Sequence, residues 1–454
     1  MPVPSAVEVR NRSVRLFGWL YPGIGVKRWL IVAIIGALLL VNGISRWLVA
    51  EGLHLNINEW LDDFVDDLFS PSYLSWIFMF FGVVLIVVGI RQWMRSLLRA
   101  SSVGGADRIV NTLLEMRLKD GYKIVAIGGG TGLSTLLRGL KRYTPNLTAV
   151  VTVSDDGGSS GRLKKELGVL PPGDIRNCLV ALADDEALVT DLFRYRFHEG
   201  DGLTGHSFGN LFLAAMTGIT GNFDEAIRES SRVLNIKGRV LPSTLGVVRL
   251  CATLADGTIV EGESNISTSH ARIDRVYFEP RHAAPLPEVI AAIREADAII
   301  LGPGSLYTSI LPNFLVDRVA QEVERSSAIK MYVCNVMTQP GETDALTASE
   351  HAAALLRNAG ARVFDYVIVN EEAPSKLLEA YAEEGQVPVQ ADSERISELG
   401  LTPISARVIS ETVNVRHDPA KLASVVVGLI ERAVAQRASF VKTPATALSA
   451  RASL

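Results

Sequence analysis

Two glycine-rich turns, each directly behind an apolar run, set the strongest limits on what this chain can fold into. Residues 123–132 read KIVAIGGGTG, and residues 151–161 read VTVSDDGGSSG. The run Ile124-Val125-Ala126-Ile127 predicts a buried strand. Gly128, Gly129, Gly130 and Gly132 then allow a tight turn and a close approach of backbone to ligand. A helix is predicted to start near Leu133, aiming its unpaired N–H groups and positive dipole end at the same place. The second run ends in Asp155-Asp156, two carboxylates placed to hold ribose hydroxyls or a phosphate-bound metal. Together the turns predict a nucleotide or phosphorylated ligand at the carboxyl edge of a parallel sheet. The glycines match neither GxGxxG, since no third glycine closes the pattern, nor a P-loop, since no Gly-Lys-Ser/Thr follows.

From about Gly121 onward apolar strands alternate with amphipathic helices. Strands are predicted at 123–127, 147–153, 298–301, 330–334 and 366–369, and the rhythm is that of a doubly wound α/β fold. Residues 240–266 break it and predict a small β insertion around the Asp256-Gly257 turn. The loops behind the strands carry polar clusters: Ser159-Ser160-Gly161-Arg162, Gly173-Asp174-Ile175-Arg176-Asn177, Gly205-His206-Ser207-Phe208-Gly209-Asn210, Gly302-Pro303-Gly304-Ser305-Leu306-Tyr307-Thr308, and Asn335 with Thr338–Thr343 beyond it. In a parallel sheet these loops converge on one edge. Ser159, Ser160, Arg162, Asn177, Asn210, Gly302, Gly304, Ser305, Tyr307, Thr308 and Asn335 thus join Gly128–Gly132, Thr131 included, and the Asp pair as candidate ligand-binding residues. Asp174, Arg176 and His206 are the candidates for chemistry. An N-cap role for Asp174, a structural role for His206 and surface roles for Arg162 and Arg176 stay open.

Hydropathy divides the chain. All six tryptophans precede Ser101, and mean hydropathy is +0.24. Uncharged apolar runs between Arg28 and Arg46 and between Pro71 and Arg91 approach the ~20 residues that span a bilayer. Tryptophans stand near their ends, as interfacial aromatics do. The predicted helices are at about 29–45 and 73–90. Basic residues flank the pair (Arg10, Arg12, Arg15, Lys27, Arg28, then Arg91, Arg95, Arg99), while the intervening loop is acidic. The positive-inside rule puts both ends in the cytoplasm. A cleaved signal peptide, the rival for the first run, lacks a clear small-residue cleavage site. The expected organisation is an N-terminal segment and transmembrane hairpin over 1–104, an α/β domain over 121–437 and a disordered tail over 438–454. The expected location is the cell membrane, multi-pass, with the large domain in the cytoplasm.

Several classes are excluded. A net charge of −4 gives no support to nucleic-acid binding. Seven histidines without HxH or HxxxH spacing do not indicate zinc, and nothing suggests haem or an iron–sulfur cluster. No G-x-S-x-G elbow marks a hydrolase. The three cysteines are far apart in apolar surroundings and read as reduced core residues.

The motifs GGGTG, SDDGGSSGRLKKELG, PPGDIRNCLVALA, GHSFGNLFLAA, GPGSLYTSILPN and CNVMTQPGET, together with RHDPAKLA around Arg416, resemble the YvcK-type gluconeogenesis factors. That group is related to the CofD 2-phospho-L-lactate transferases. The resemblance covers residues 122–432 and leaves the hairpin out. It implies a Rossmann-like core and adds Arg416 to the candidate ligand contacts. On the YvcK branch the implied ligand is a UDP-sugar such as UDP-N-acetylglucosamine. The implied role is regulation of cell-wall precursor supply and cell shape, with a protein partner in that synthesis; a homo-oligomer is left open. On the CofD branch it is Mg²⁺-dependent transfer of a phospholactyl group, with Mg²⁺ on Asp155 and Asp156. The GPGSLYTS loop favours the first. NAD(P) binding is a weaker third reading.

Overall fold

The computed structural model describes residues 26–50, 71–100, 121–184, 186–269, 271–372, 374, 378–411 and 415–441. The chain divides into two compact units, Met1–Arg117 and Leu118–Leu454.

Within the first unit two helices, Val26–Ala50 and Pro71–Ala100, pack antiparallel. Glycines set seven residues apart on each helix let the backbones meet. A Cβ on Gly36 would fall 2.8 Å from the Ile86 nitrogen, and one on Gly82 would fall 2.7 Å from the Leu40 nitrogen. Gly43 meets the Met79 backbone, and Gly89 that of Ala33, in the same way. The faces turned away are apolar: Ile31, Leu38, Val41, Trp76, Phe80 and Val87 are all exposed. One helix, over Ser75–Gln92, is long and apolar enough to cross a membrane; the apolar stretch of the other, Ile31–Ile44, is shorter. The acidic loop at 51–70 and the basic segment before residue 26 lie outside the described residues.

The second unit is built on a seven-stranded, wholly parallel sheet. Its strands are β1 (Ile124–Gly128), β2 (Leu147–Val151), β3 (Arg239–Pro242), β7 (Ala298–Leu301), β8 (Ile329–Val333), β9 (Tyr366–Asn370) and β10 (Thr402–Ala406), in the order β10-β9-β8-β7-β1-β2-β3. This is the doubly wound order, reversing direction between β1 and β7. The strands read as continuous apolar runs because both faces are covered. Val125 and Ile127 enter one core, with Ile299, Leu301, Tyr332 and Phe364. Ile124 and Ala126 enter the other, with Leu133, Leu136 and Leu137 from the helix Gly130–Leu140.

The β insertion is a three-stranded antiparallel sheet of β4 (Arg249–Leu254), β5 (Ile259–Glu261) and β6 (Ile273–Glu279). Its turn is held by Asp256, which accepts from the Thr258 N–H at 2.9 Å. It starts later than the pattern suggested, because Val240 belongs to β3, an edge strand of the main sheet. β10 also went unread. Both edge strands contain proline, Pro242 and Pro403, which reads as a loop signal in sequence but is tolerated at a sheet edge. A small antiparallel pair, β11 (Ile409–Glu411) and β12 (Val415–His417), precedes the last helix. That helix runs over Pro419–Val441, past the expected domain end at 437, as good helix formers such as Ala433, Ala435, Gln436 and Arg437 allow. Residues 442–454 lie outside the described residues.

Candidate functional site

A cavity of about 690 Å³ opens at the carboxyl edge of the sheet, over the reversal between β1 and β7. Its floor is the glycine turn. Gly130 sits at φ +66°, a left-handed conformation in which a glycine costs nothing. Gly132 lies against the backbone of Pro303, so close that no Cβ fits between the two loops. The turn is therefore pressed between the β7 loop and Asp174, whose carboxylate also stands against Gly129. Gly128 itself is the buried end of β1. Its carbonyl accepts from the Thr152 N–H at 3.1 Å and from Asn313 Nδ2 at 3.2 Å, so it does not face the cavity.

Three carboxyl groups converge on one side: Asp155, Asp174 and Glu263. Asp155 follows β2 and accepts from the Gly157 N–H at 2.9 Å. Asp174, at the start of the helix Gly173–Leu182, accepts from the Gly130 N–H. Burial, with the negative charge of Asp155 beside it, pushes its carboxyl up to about 6. Glu263 comes from the insertion, at the start of the short helix Glu263–Ser267. Burial and then the charges of Asp155 and Asp174 raise it to about 9, so it stands protonated and hydrogen-bonds Asp155. Nothing in the pattern around Glu263 linked it to the glycine turn; only the insertion's packing brings it there.

Asp156 is placed differently from Asp155 and does not line the cavity. Its oxygens accept from the Glu263 N–H at 3.1 Å, the Ser264 N–H at 3.0 Å and Ser264 Oγ at 2.8 Å. It caps the insertion's helix, where three donors engage its two oxygens. Adjacent side chains on an extended segment point to opposite sides, so two neighbouring aspartates reach different places.

Gly304, Ser305 and Asn335 line the opposite wall, as expected. Asn335 Oδ1 accepts from the Gly304 N–H at 3.2 Å, and Gln339 Nε2 donates to Ser305 Oγ at 2.9 Å. Gly302 turns at φ +76° behind this wall without lining it. Tyr307 and Thr308 are buried on the far side of a π-turn, Leu306–Ile310, whose Ser305 and Ser309 face the cavity instead. Arg416 closes the mouth together with Tyr381, Gln386 and His417, which the sequence had not singled out. His417 is buried, and desolvation drops its pKa to about 4, so the ring is neutral.

The remaining candidates form a supporting network outside the cavity lining. Arg176 donates to Ser207 Oγ at 2.6 Å, Asn210 Oδ1 at 2.9 Å and Asn177 Oδ1 at 3.0 Å. Asn210 Nδ2 reaches Ser160 Oγ at 3.4 Å, and Ser159 Oγ pairs with His206 Nδ1 at 2.9 Å. Arg162 donates to the Thr204 carbonyl at 2.9 Å. Arg176 and His206 thus brace the helices Gly158–Leu167, Gly173–Leu182 and Phe208–Thr220, and neither lines the cavity. Among the described residues no group of three His, Cys, Asp or Glu side chains has closed to a metal-binding arrangement.

Residues 124–409 match the family model described as 2-phospho-L-lactate transferase CofD. A gluconeogenesis factor of Bacillus subtilis is 52% identical over 311 residues, which is 68% of this chain and 98% of that one. A relative from Nostoc sp., also described as a gluconeogenesis factor, is 48% identical over 433 residues, 93% of this chain and 94% of its own. That match is longer than the residues after Asp120 can supply, so it runs into the helical hairpin. A crystal structure of a UPF0052 family member from Bacillus halodurans superposes with a TM-score of 0.66 at 48% identity, over 68% of this chain and 99% of that one. The chain is a member of the CofD family and stands with its gluconeogenesis-factor branch.

Proposed function

We propose that this protein is a membrane-anchored gluconeogenesis factor that binds a nucleotide-linked sugar of the UDP-N-acetylglucosamine type and regulates cell-wall precursor supply and cell shape. One observation carries the reading: the glycine turn opens the helix Gly130–Leu140 at the floor of a cavity at the sheet's reversal point. Backbone N–H groups at a helix N-terminus, unobstructed by side chains, are the complement of a diphosphate. Arg416 and the amide and hydroxyl groups of Asn335, Gln339 and Ser305 supply donors for the sugar and ribose.

A divalent cation fits the donor set in kind. Asp155 and Asp174 offer hard oxygens beside the phosphate position, and Mg²⁺ binds through one or two carboxylates plus phosphate. Bound there, it would offset the negative charge that adds to burial in lifting the Asp174 and Glu263 pKa values. Asp155 and Asp174, and not Asp156, would hold it. The same carboxyl group cluster supports a second reading, cation-assisted group transfer of the CofD kind, in which Asp155 and Asp174 would hold the cation, the cation would offset phosphate charge, and Glu263 would hold Asp155 in place through their hydrogen bond. The anchor reading draws on the outward apolar faces of the two N-terminal helices, with the α/β unit in the cytoplasm.

Titration calorimetry on the full chain in detergent, with UDP-N-acetylglucosamine and with GDP, each with and without Mg²⁺, tests this. The expected outcome is saturable UDP-sugar binding that Gly130→Val abolishes and Arg416→Ala weakens. Release of a transferred product in the presence of a phospholactyl donor would move the assignment to the transferase. Undiminished binding in the Gly130→Val protein would place the nucleotide elsewhere.

A further inference from the structure

On the far side of the π-turn from the main cavity lies a second pocket, of about 350 Å³. Its walls come from the segment before β6, from the π-turn, and from the loop and helix at Asp344–Arg357. Two guanidiniums face it, Arg272 and Arg357, and neither has an ion-pair or hydrogen-bond partner among the described residues. The acids of the same pocket are occupied in holding the loop. Asp344 Oδ2 accepts from the Gly341 N–H at 2.9 Å, and Glu350 Oε2 accepts from the Thr347 N–H at 2.9 Å in a capping box. At the floor is Glu342, only 7% exposed. Its Oε1 accepts from Thr308 Oγ1 at 2.9 Å and from Ser267 Oγ at 3.0 Å, while its Oε2 has no partner. Burial raises its pKa.

We propose that this pocket binds a small organic anion, held by Arg272 and Arg357 at the rim. The chemistry argues for the sign of the ligand. An unpaired pair of guanidiniums flanking one opening is the usual receptor for a phosphate or carboxylate, through charge-assisted forked hydrogen bonds. A buried polar oxygen without a partner is costly unless something meets it. The nearby acids keep their charge, but Asp344 and Glu350 turn these oxygens to backbone N–H groups and form no ion pair with either guanidinium. Asp274, exposed and near Tyr307, is the one further carboxylate in range. Glu342 also joins this pocket to the main site. Thr308 belongs to the π-turn that presents Ser305 and Ser309 to the main cavity, and Ser267 to the insertion helix that presents Glu263. Occupancy of the second pocket is therefore sensed by both walls of the first.

The test is calorimetry on the full chain with two probes, 3-phosphoglycerate as a phosphate source and citrate as a carboxylate source. The expected result is saturable binding of at least one probe, which also identifies the anionic group. Arg272→Ala with Arg357→Ala weakens it by about tenfold or more, as loss of two charge-assisted contacts requires. Both arginines are exposed, so the double variant keeps its melting temperature. Glu342→Gln retains binding, because both guanidiniums stay in place. The Gly130→Val protein also retains it, which separates this site from the nucleotide site. Binding unaffected by the double arginine variant overturns the proposal, as does the absence of saturable binding with either probe.

Discussion

Single side chains decide which of two neighbouring aspartates faces the cavity and which caps a helix. Asp156→Asn removes charge from a helix cap and is expected to lower stability by about 1 kcal/mol with little effect on ligand affinity. Asp155→Asn and Asp174→Asn are expected to leave the fold intact and to weaken Mg²⁺-dependent ligand binding; chemical denaturation and calorimetry on the three proteins separate the roles. The pH dependence follows from the raised carboxyls. Asp174 and Glu263 hold protons in the folded state, at values of about 6 and about 9, where the unfolded chain has already lost them at 3.8 and 4.5. The native state binds more protons in those windows, so stability is full below the unfolded values and falls as pH rises through the folded ones. Melting temperatures of the metal-free protein are expected to decline from mildly acidic to alkaline pH. Glu263→Gln is expected to flatten the upper part of that decline, and an unchanged profile would remove Glu263 from the coupled cluster.

Among elements, the π-turn and its anchor control the site's shape. Asn313, wholly buried, donates from Nδ2 to the carbonyls of Gly128 at 3.2 Å, Ser309 at 2.9 Å and Ile310 at 3.2 Å. It ties the end of β1 to the turn that faces both pockets. π-turns of this kind occur often at functional sites, since the extra residue re-aims side chains. Asn313→Ala leaves those carbonyls without this donor and is expected to cost about 1–3 kcal/mol. It is also expected to weaken nucleotide binding, because Ser305 and Ser309 lose their position; native affinity in a destabilised Asn313→Ala protein would show that the turn is held by other contacts. The helix Gly130–Leu140 has a second constraint. Gly139 lies against the Pro419 carbonyl so closely that a Cβ has no room, and the helix Pro419–Val441 crosses it there. Gly139→Ala is expected to destabilise by about 1–3 kcal/mol through overpacking.

The whole molecule is two compact units. The α/β unit buries its own apolar layers on both faces of the sheet, so a fragment from Leu118 is expected to fold and to unfold cooperatively without the hairpin. An insoluble fragment beside a well-folded full chain would contradict that. The helical hairpin closes on itself through glycines and leaves its apolar side chains facing out. If it is the membrane anchor with both ends in the cytoplasm, a cysteine replacing Asp66 is labelled from outside intact cells and one replacing Gly104 is not. The reverse pattern overturns the topology.

The sequence by itself determined the central parallel strands, because a strand covered on both faces must be apolar along its length, as Ile124–Ile127 and Ala298–Leu301 are. It also determined the glycine turn, since glycine takes the left-handed conformation at Gly130 without strain and leaves room for the close approach at Gly132. Its motifs were sufficient to recognise the family. The edge strands were illegible, because Pro242 and Pro403 signal loops wherever the neighbours of a strand are unknown. The assignment of the polar residues was decided only by the tertiary structure. Asp155, Asp174 and Glu263 come from three separate segments, and hydrogen-bond partners far along the chain turned Asp156, Arg176 and His206 into scaffold. Local pattern records which side chains can do chemistry; packing decides which of them have lone pairs and protons left to do it with.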